Sequence, residues 1–371
     1  MIYKNKISNS RPSTQGLDWR FMAQKQGHLR GVASHRGREM QVLVIGHNEV
    51  RELLSMKECI DVMEDLFKVL AHGDAVLPLR QAFWQPDRRG MFGAMPAYLG
   101  SPRAIGGKFV TFFPENHSPY ESHQGAVLLF ECENGRLLAI ADATSITSIR
   151  TAAASAVATR ALARKGASKL AILGSGTQAA MHLESMQVVR KISSVRVWSR
   201  NPARAEAFVE SASKKHQVNI EYAHTAEDAV SAADIICTTT AATSPILEGG
   251  WISPGCHINA IGSSVPPFRE LDSEAVARSK LYTDRRESLL NEADDFRIPR
   301  QEGRIGDKHL VGEIGQVLTG EVPGRENEKE ITLFKSLGLA VEDLASVHYI
   351  YSKAQRSGSG TLIDFGAERE G

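Results

Sequence analysis

The chain has 371 residues, 42% of them hydrophobic, and its 44 basic and 43 acidic side chains leave a net charge of +1 at pH 7. That length suits two domains with sizeable cores, and the balanced charge gives no footprint for nucleic acid or an anionic membrane surface. No apolar run reaches the length of a bilayer span. Cys59, Cys132, Cys237 and Cys256 are scattered without CxxC spacing, which points to free thiols in a reducing cytosol. The histidines form no HExxH-like cluster, so no metal is expected.

Residues 1–39 are polar and basic, with Asp18 and Glu39 as their only acids. They read as a disordered extension, with an early translation start or a transit peptide as alternatives. From Met40 the pattern becomes domain-like. A strand over Val42–Ile45 precedes an amphipathic helix from Ser55 to Ala71, with Ser55 and Glu58 spaced as a capping box. Strand-like runs follow at Arg80–Gln85, Gly90–Met95, Lys108–Phe113 and Ala126–Glu131, and Asn134-Gly135 turns the chain into Leu137–Ala141. This region reads as an antiparallel sheet carrying a helix. A small-residue helix over Ser148–Arg164 then leads into βα alternation that runs to about residue 305. Glu313–Lys353 reads as helical with a loop at Gly320–Asn327, packing back on the first domain, and the glycine-rich tail after Arg356 as mobile.

The most informative stretch is Lys169–Met186. An apolar strand, Leu170–Leu173, enters the turn Gly174-Ser175-Gly176 and then a helical pattern through Thr177 and Gln178, the context a dinucleotide fingerprint requires. Gly174 permits the tight turn, and Gly176 lets backbone approach a pyrophosphate at a helix N-terminus. Ala179 is small enough for close helix–strand packing. An ordinary βα turn with two glycines would read the same way. The next strand ends in Ser199-Arg200-Asn201, with Arg204 one helical turn on. No carboxylate is present there to accept from a ribose hydroxyl, and two guanidiniums could pair with a 2′-phosphate, so NADPH is expected over NADH. A solvated arginine pair is the alternative. Thr238, Thr239 and Thr240 follow a third strand where a parallel sheet presents its ligand crevice, although they could equally be caps.

Several blocks together resemble the ornithine cyclodeaminase/mu-crystallin family from about Met40 to Lys353. They are LPLR (77–80), MPAYLG (95–100), GGKFVTFFPEN (106–116), the segment 122–159, the GSGTQA loop, AIGSSVPPFRELD (260–272) and EITLFKSLGLAVEDLA (330–345). The resemblance implies an α/β protein: a Rossmann dinucleotide-binding domain (148–312) plus an antiparallel α+β substrate and dimerisation domain (40–147 and 313–355). It also implies a homodimer and a small α-amino or α-imino acid substrate.

A reductase of imino acids needs cations to hold the carboxylate. In the resemblance Arg80, Lys108 and Arg150 take that role beside Leu337. Ser122, His123, Gln124, Arg150, Thr151, Ile261, Ser263 and Ser336 approach the cofactor. His123 is also a candidate proton donor, or else a structural loop histidine.

Two departures bear on subclass. Cyclodeaminases of the family carry Asp where Ser264 stands and Glu where Gly93 stands. Ring-closing deamination needs a base for the amine, and neither residue supplies one. The SxxPxxREL pattern, residues 284–295 and the GEVPGR loop (320–325) resemble the mu-crystallin branch instead. The resulting expectation is NADPH-dependent reduction of Δ1-pyrroline-2-carboxylate or Δ1-piperideine-2-carboxylate, with Lys108, Ser264 and His123 in catalytic positions. An alanine-dehydrogenase-like enzyme, an ornithine cyclodeaminase and a non-catalytic NADPH- and small-ligand-binding protein are the alternatives.

Overall fold

A computed structural model describes residues 41–116 and 119–366. The expected extension over 1–39 lies outside the described residues. Two eight-stranded sheets carry the architecture.

The first sheet forms from β1 (Gln41–Ile45), β2 (Ala75–Val76), β3 (Gln81–Trp84), β4 (Met91–Gly100), β5 (Arg103–Phe112), β6 (His123–Phe130), β7 (Leu137–Asp142) and β16 (Thr361–Asp364). Its order is β16-β1-β7-β6-β5-β4-β2, with β3 also on β4, and every pair is antiparallel except β1 with β7. Helix α1 (His47–Leu53) and helix α2 (Met56–Ala71) follow β1. Ser55 caps α2 in a complete capping box with Glu58, which fixes the start of the helix locally.

Helix α3 (Ala143–Leu162) joins the two sheets. It begins five residues before the expected Ser148, because the Asp142 carboxylate accepts from Ser145 N–H at 2.8 Å and caps it there. Sixteen of its residues are buried, most of them Ala, Ser or Thr. Small side chains let this helix pack against α2 and the helix Thr177–Val189, and touch strands of both sheets.

The second sheet is wholly parallel. It contains β8 (Lys169–Leu173), β9 (Ser194–Trp198), β10 (Asn219–Tyr222), β11 (Ile235–Thr238), β12 (His257–Ala260), β13 (Lys280–Thr283), β14 (Leu310–Glu313) and β15 (Thr332–Lys335), in the order β10-β9-β8-β11-β12-β15-β13-β14. Helices α4 (Thr177–Val189) and α5 (Pro202–Lys215) follow β8 and β9. Buried side chains cover both faces of this sheet, as parallel sheets require.

The C-terminal part differs from the expectation in two places. Thr332–Lys335 is not helical. It is a fully buried strand inserted between β12 and β13, so the chain returns to the second sheet before crossing to the first. Lys335 disguised it, since a lysine rarely ends a central strand. Here its Nζ is buried 2.9 Å from Asp295 Oδ2. After the crossing at 336–339, helix α6 (Ala340–Ser357) packs against β4, β5, β6, α2 and α3. The tail past Arg356 is ordered through β16, which pairs antiparallel with β1 and covers that edge.

Candidate active site

A cleft of about 670 Å³ opens where the C-terminal ends of β8, β9, β11 and β12 face β4, β5 and the start of α3. Both domains therefore supply its walls.

On the second-sheet side, Gly174 has φ 128°, and a Cβ there would lie 2.4 Å from Thr239 Oγ1. Only glycine fits. A Cβ on Gly176 would meet nothing within 4 Å, because this residue faces the open cleft. Gly176 is the N-cap of α4 and offers no side-chain cap, so the first-turn N–H groups point into the cleft. This cradle of bare backbone fits a pyrophosphate. Ser175 donates to Ser199 Oγ at 3.1 Å, tying the first turn to the second. Asn201 Oδ1 accepts from Arg204 N–H at 3.1 Å and caps α5. Arg200 and Arg204 are exposed at the rim and make no ion pair among the described residues.

On the opposite side lies a buried ionic cluster. Lys108, in β5, is 4% exposed, and its Nζ sits 2.9 Å from Asp343 Oδ2 and 3.3 Å from Thr147 Oγ1. Arg150, in α3, holds Asp343 Oδ1 through Nε at 3.1 Å and Glu342 Oε2 through a terminal nitrogen at 2.7 Å. Arg80 pairs through Nε with Glu292 Oε1 at 3.0 Å and donates to the Leu337 and Gly338 carbonyls at 2.7 and 3.1 Å. Asp284 accepts the N–H groups of the same turn, Leu337 at 2.6 Å and Gly338 at 2.9 Å. The crossing between the domains is thus clamped between Arg80 and Asp284.

The electrostatics follow from burial. Burial pushes Lys108 down to about 8, against the pull of Asp343, and Arg150 adds to the downward push. Burial pushes Glu342 up to about 8, although Arg150 opposes it. Burial would also raise Asp343, but Arg150 and Lys108 hold it below its ordinary value. Burial thus biases Glu342 towards its uncharged form, and Asp343 is the carboxylate shared by Lys108 and Arg150. Cations converging on one wall suit a small carboxylate. His123 stacks on Phe112 with ring centroids 4.5 Å apart, and its Nδ1 is 3.1 Å from Ser122 Oγ. Crowding by the cleft walls, then Lys108 and Arg150, push it down to about 4. Solvent still reaches the ring and tempers the first effect, while the two cations disfavour the imidazolium.

The cleft brings together Arg80, Lys108, Ser122, His123, Arg150, Thr151, Gly174, Gly176, Thr177, Gln178, Ser199, Arg200, Asn201, Arg204, Thr239, Thr240, Ile261, Ser264, Ser336 and Leu337. Four expected residues stand apart. Ala179 is buried on the sheet side of α4. Gln124 is exposed on β6 and donates to the Glu121 carbonyl at 3.2 Å. Ser263 is buried and donates to the Phe268 carbonyl. Thr238 is buried behind the cleft and donates to Glu270 Oε2 at 2.7 Å. Gly93 is buried in β4 opposite Val110.

The residue-level reading missed the buried acids Asp284, Glu292, Glu342 and Asp343. Their signal was available for Glu342 and Asp343, two adjacent acids inside the otherwise apolar LGLAVEDLASV. No group of three or more potential metal ligands occurs among the described residues.

Known proteins resemble this chain in sequence and fold. The model of the ornithine cyclodeaminase/mu-crystallin family matches residues 40–358. Ketimine reductase mu-crystallin of Mus musculus is 40% identical over 281 residues, covering 75% of this chain and 85% of that protein. The solved Delta(1)-pyrroline-2-carboxylate reductase of Thermococcus litoralis, in complex with NADH and L-proline, superposes with a TM-score of 0.84 at 40% identity, over 86% of this chain and 99% of that one. An archaeal alanine dehydrogenase dimer with bound NAD superposes with a TM-score of 0.83 at 33% identity, over 88% of this chain and all of that one. The glycine cradle, the two-domain cleft and the match along residues 40–358 thus have one reading: the chain belongs to the ornithine cyclodeaminase/mu-crystallin family.

Proposed function

We propose that the protein reduces a small cyclic ketimine, Δ1-pyrroline-2-carboxylate or Δ1-piperideine-2-carboxylate, to proline or pipecolate with NADPH in preference to NADH. One observation carries the reading: a single cleft joins a bare-backbone cradle for a pyrophosphate to buried Lys108 and Arg150 with half-buried Arg80 beside them. The names of the mouse and Thermococcus relatives support the reaction class.

A reduced nicotinamide, when bound, would supply a hydride to the imine carbon and become oxidised, while a proton adds at the nitrogen, so that C=N becomes CH–NH. The chain's own residues do the rest. Lys108 and Arg150, fixed by Asp343, hold the substrate carboxylate, and Arg80 closes the same side through the Leu337–Gly338 turn. Fixing the carboxylate orients the ring carbon towards the opposite wall. Lys108 keeps a proton at neutral pH within the cluster, and Ser264, in the facing wall, offers a hydroxyl to the imine nitrogen or a water. The ring's methylenes pack against Met91, Val110, Phe112 and Phe268. Arg200 and Arg204, at the rim, would pair with the dinucleotide's 2′-phosphate. The molecule works as a homodimer, for which exposed Phe83 and Phe109, bridged by half-buried Phe92 on the first sheet, provide an apolar face. The unpaired cysteines suit the cytoplasm.

The test is NADPH oxidation on a panel of cyclic and linear imino acids, alongside alanine with NAD and ornithine with NAD. Turnover of the cyclic ketimines is expected. Ammonia and proline from ornithine would overturn the assignment, and oxidation of alanine alone would favour an amino acid dehydrogenase. NADPH binding without turnover would favour a ligand-binding protein.

A further inference from the structure

Behind the second-sheet wall of the cleft stands an acid that is not itself part of the lining. Neighbouring strands β11 and β12 end level with each other, Thr238 opposite Ala260. Each runs into a loop that lines the cleft, Thr239 and Thr240 after β11, and Ile261, Gly262 and Ser264 after β12. Glu270, fully buried, reaches both loops. Its Oε1 accepts from Thr240 N–H at 2.6 Å and the Thr240 hydroxyl at 2.8 Å. Its Oε2 accepts from the Thr238 hydroxyl at 2.7 Å and Gly262 N–H at 2.8 Å.

The loops are in direct contact. A Cβ on Gly262 would lie 1.9 Å from the Thr240 carbonyl oxygen and 2.6 Å from Glu270 Oε1. The Thr240 hydroxyl, while donating to Glu270, also accepts from Ala242 N–H at 3.2 Å, which extends the hold along the first loop. Glu270 is itself anchored. Its N–H and that of Leu271 both donate to Asp295 Oδ1 at 2.9 Å, and Asp295 Oδ2 pairs with Lys335 Nζ.

A buried carboxylate costs stability unless donors surround it. An apolar side chain of similar size would fill this space at less cost, but it could not draw two backbone N–H groups from two loops to one point. We propose that Glu270 is a positioning residue for the dinucleotide, stapling the loops after β11 and β12 at the spacing that forms the nicotinamide-side wall. Thr238, which the sequence suggests as a cofactor contact, acts through it. This inference rests on the proposed use of a nicotinamide dinucleotide.

The test uses the full chain and two substitutions, Glu270→Gln and Thr238→Val. In Glu270→Gln one acceptor oxygen becomes a donor, so one of the two backbone N–H groups faces an amide NH₂. NADPH affinity, read from the fluorescence of the reduced nicotinamide, should weaken about tenfold or more in Glu270→Gln and about threefold or more in Thr238→Val. The KM for the ketimine should stay within about twofold, because Arg80, Lys108 and Arg150 lie on the opposite wall. Unchanged NADPH affinity with only a lowered melting temperature would overturn the proposal, as would equal losses for both ligands. If Glu270→Gln does not fold, the same split in Thr238→Val decides. Wild-type protein that binds neither NADPH nor NADH would overturn the dinucleotide reading itself. Wild-type binding with unaffected variants overturns only the role of Glu270.

Discussion

Asp343→Asn probes the ionic cluster most directly. Asp343 is fully buried and shared, with Lys108 Nζ at 2.9 Å and Arg150 Nε at 3.1 Å. Asparagine keeps the shape and, through its amide oxygen, one acceptor, but removes the negative charge. Two responses then compete. Keeping Lys108 charged without its counter-ion costs about 3–5 kcal/mol, as for other broken buried pairs. Releasing its proton is cheaper. With Lys108 already pushed down to about 8, neutralising it at pH 7 costs about 1.4 kcal/mol. The cost falls further once the charge of Asp343, which raises that pKa, is gone. The proton is therefore lost, and the substrate carboxylate loses one of its cations. A charge-assisted contact of about 1.5–3 kcal/mol predicts a KM for the ketimine raised roughly ten- to a hundredfold at pH 7. The alkaline limb of the pH–rate profile should also move. In the wild type it should fall as pH rises through about 8, following Lys108. In Asp343→Asn it should fall at distinctly lower pH. The assay is steady-state NADPH oxidation with saturating dinucleotide and varied imino acid, across the neutral and alkaline range. An identical alkaline limb in both proteins, with KM unchanged, would refute the reasoning.

Three further outcomes are expected. Arg200→Ala should raise the KM for NADPH roughly ten- to a hundredfold and leave that for NADH nearly unchanged, since only the phosphorylated dinucleotide offers a charge at that rim. A wild-type preference for NADH would contradict it. Glu342 binds a proton in the fold up to about pH 8 but only up to 4.5 when unfolded, so its contribution to stability is lost as pH rises between those values. Glu342→Gln should therefore flatten the fall of melting temperature across that window, and an unchanged slope would count against a buried neutral acid. Phe83 is 64% exposed and stacks on Phe92 at 5.6 Å. If this strip is the dimer face, Phe83→Asp should sediment near the 40.5 kDa monomer while the wild type sediments as a dimer.

What the sequence made legible was local. The Ser55–Glu58 capping box and the Gly174–Gly176 turn each express their structure within a few residues, and both could be read without any partner. The parts that escaped depend on distant segments. Strand β15 carries Lys335, which is compatible with burial only because Asp295 waits beside it. Strand β16 looks like a loose tail until β1 presents an unpaired edge. Asp142 moved the start of α3 because a hydroxyl-rich stretch, ATSITS, favours caps and turns as readily as helix. The acids of the site follow the same logic at longer range. Glu342 and Asp343 meet Arg150 across 192 and 193 positions, and Arg80 meets Glu292 across 212. No periodicity encodes such a pairing, yet the energetics demand it. Three cations held in a cleft wall would each shed charge or water the site unless acids came with them. An expectation that Arg80, Lys108 and Arg150 share one site was therefore already an expectation of acids beside them. Acids set within apolar blocks, such as LGLAVEDLASV, are the places to look for them.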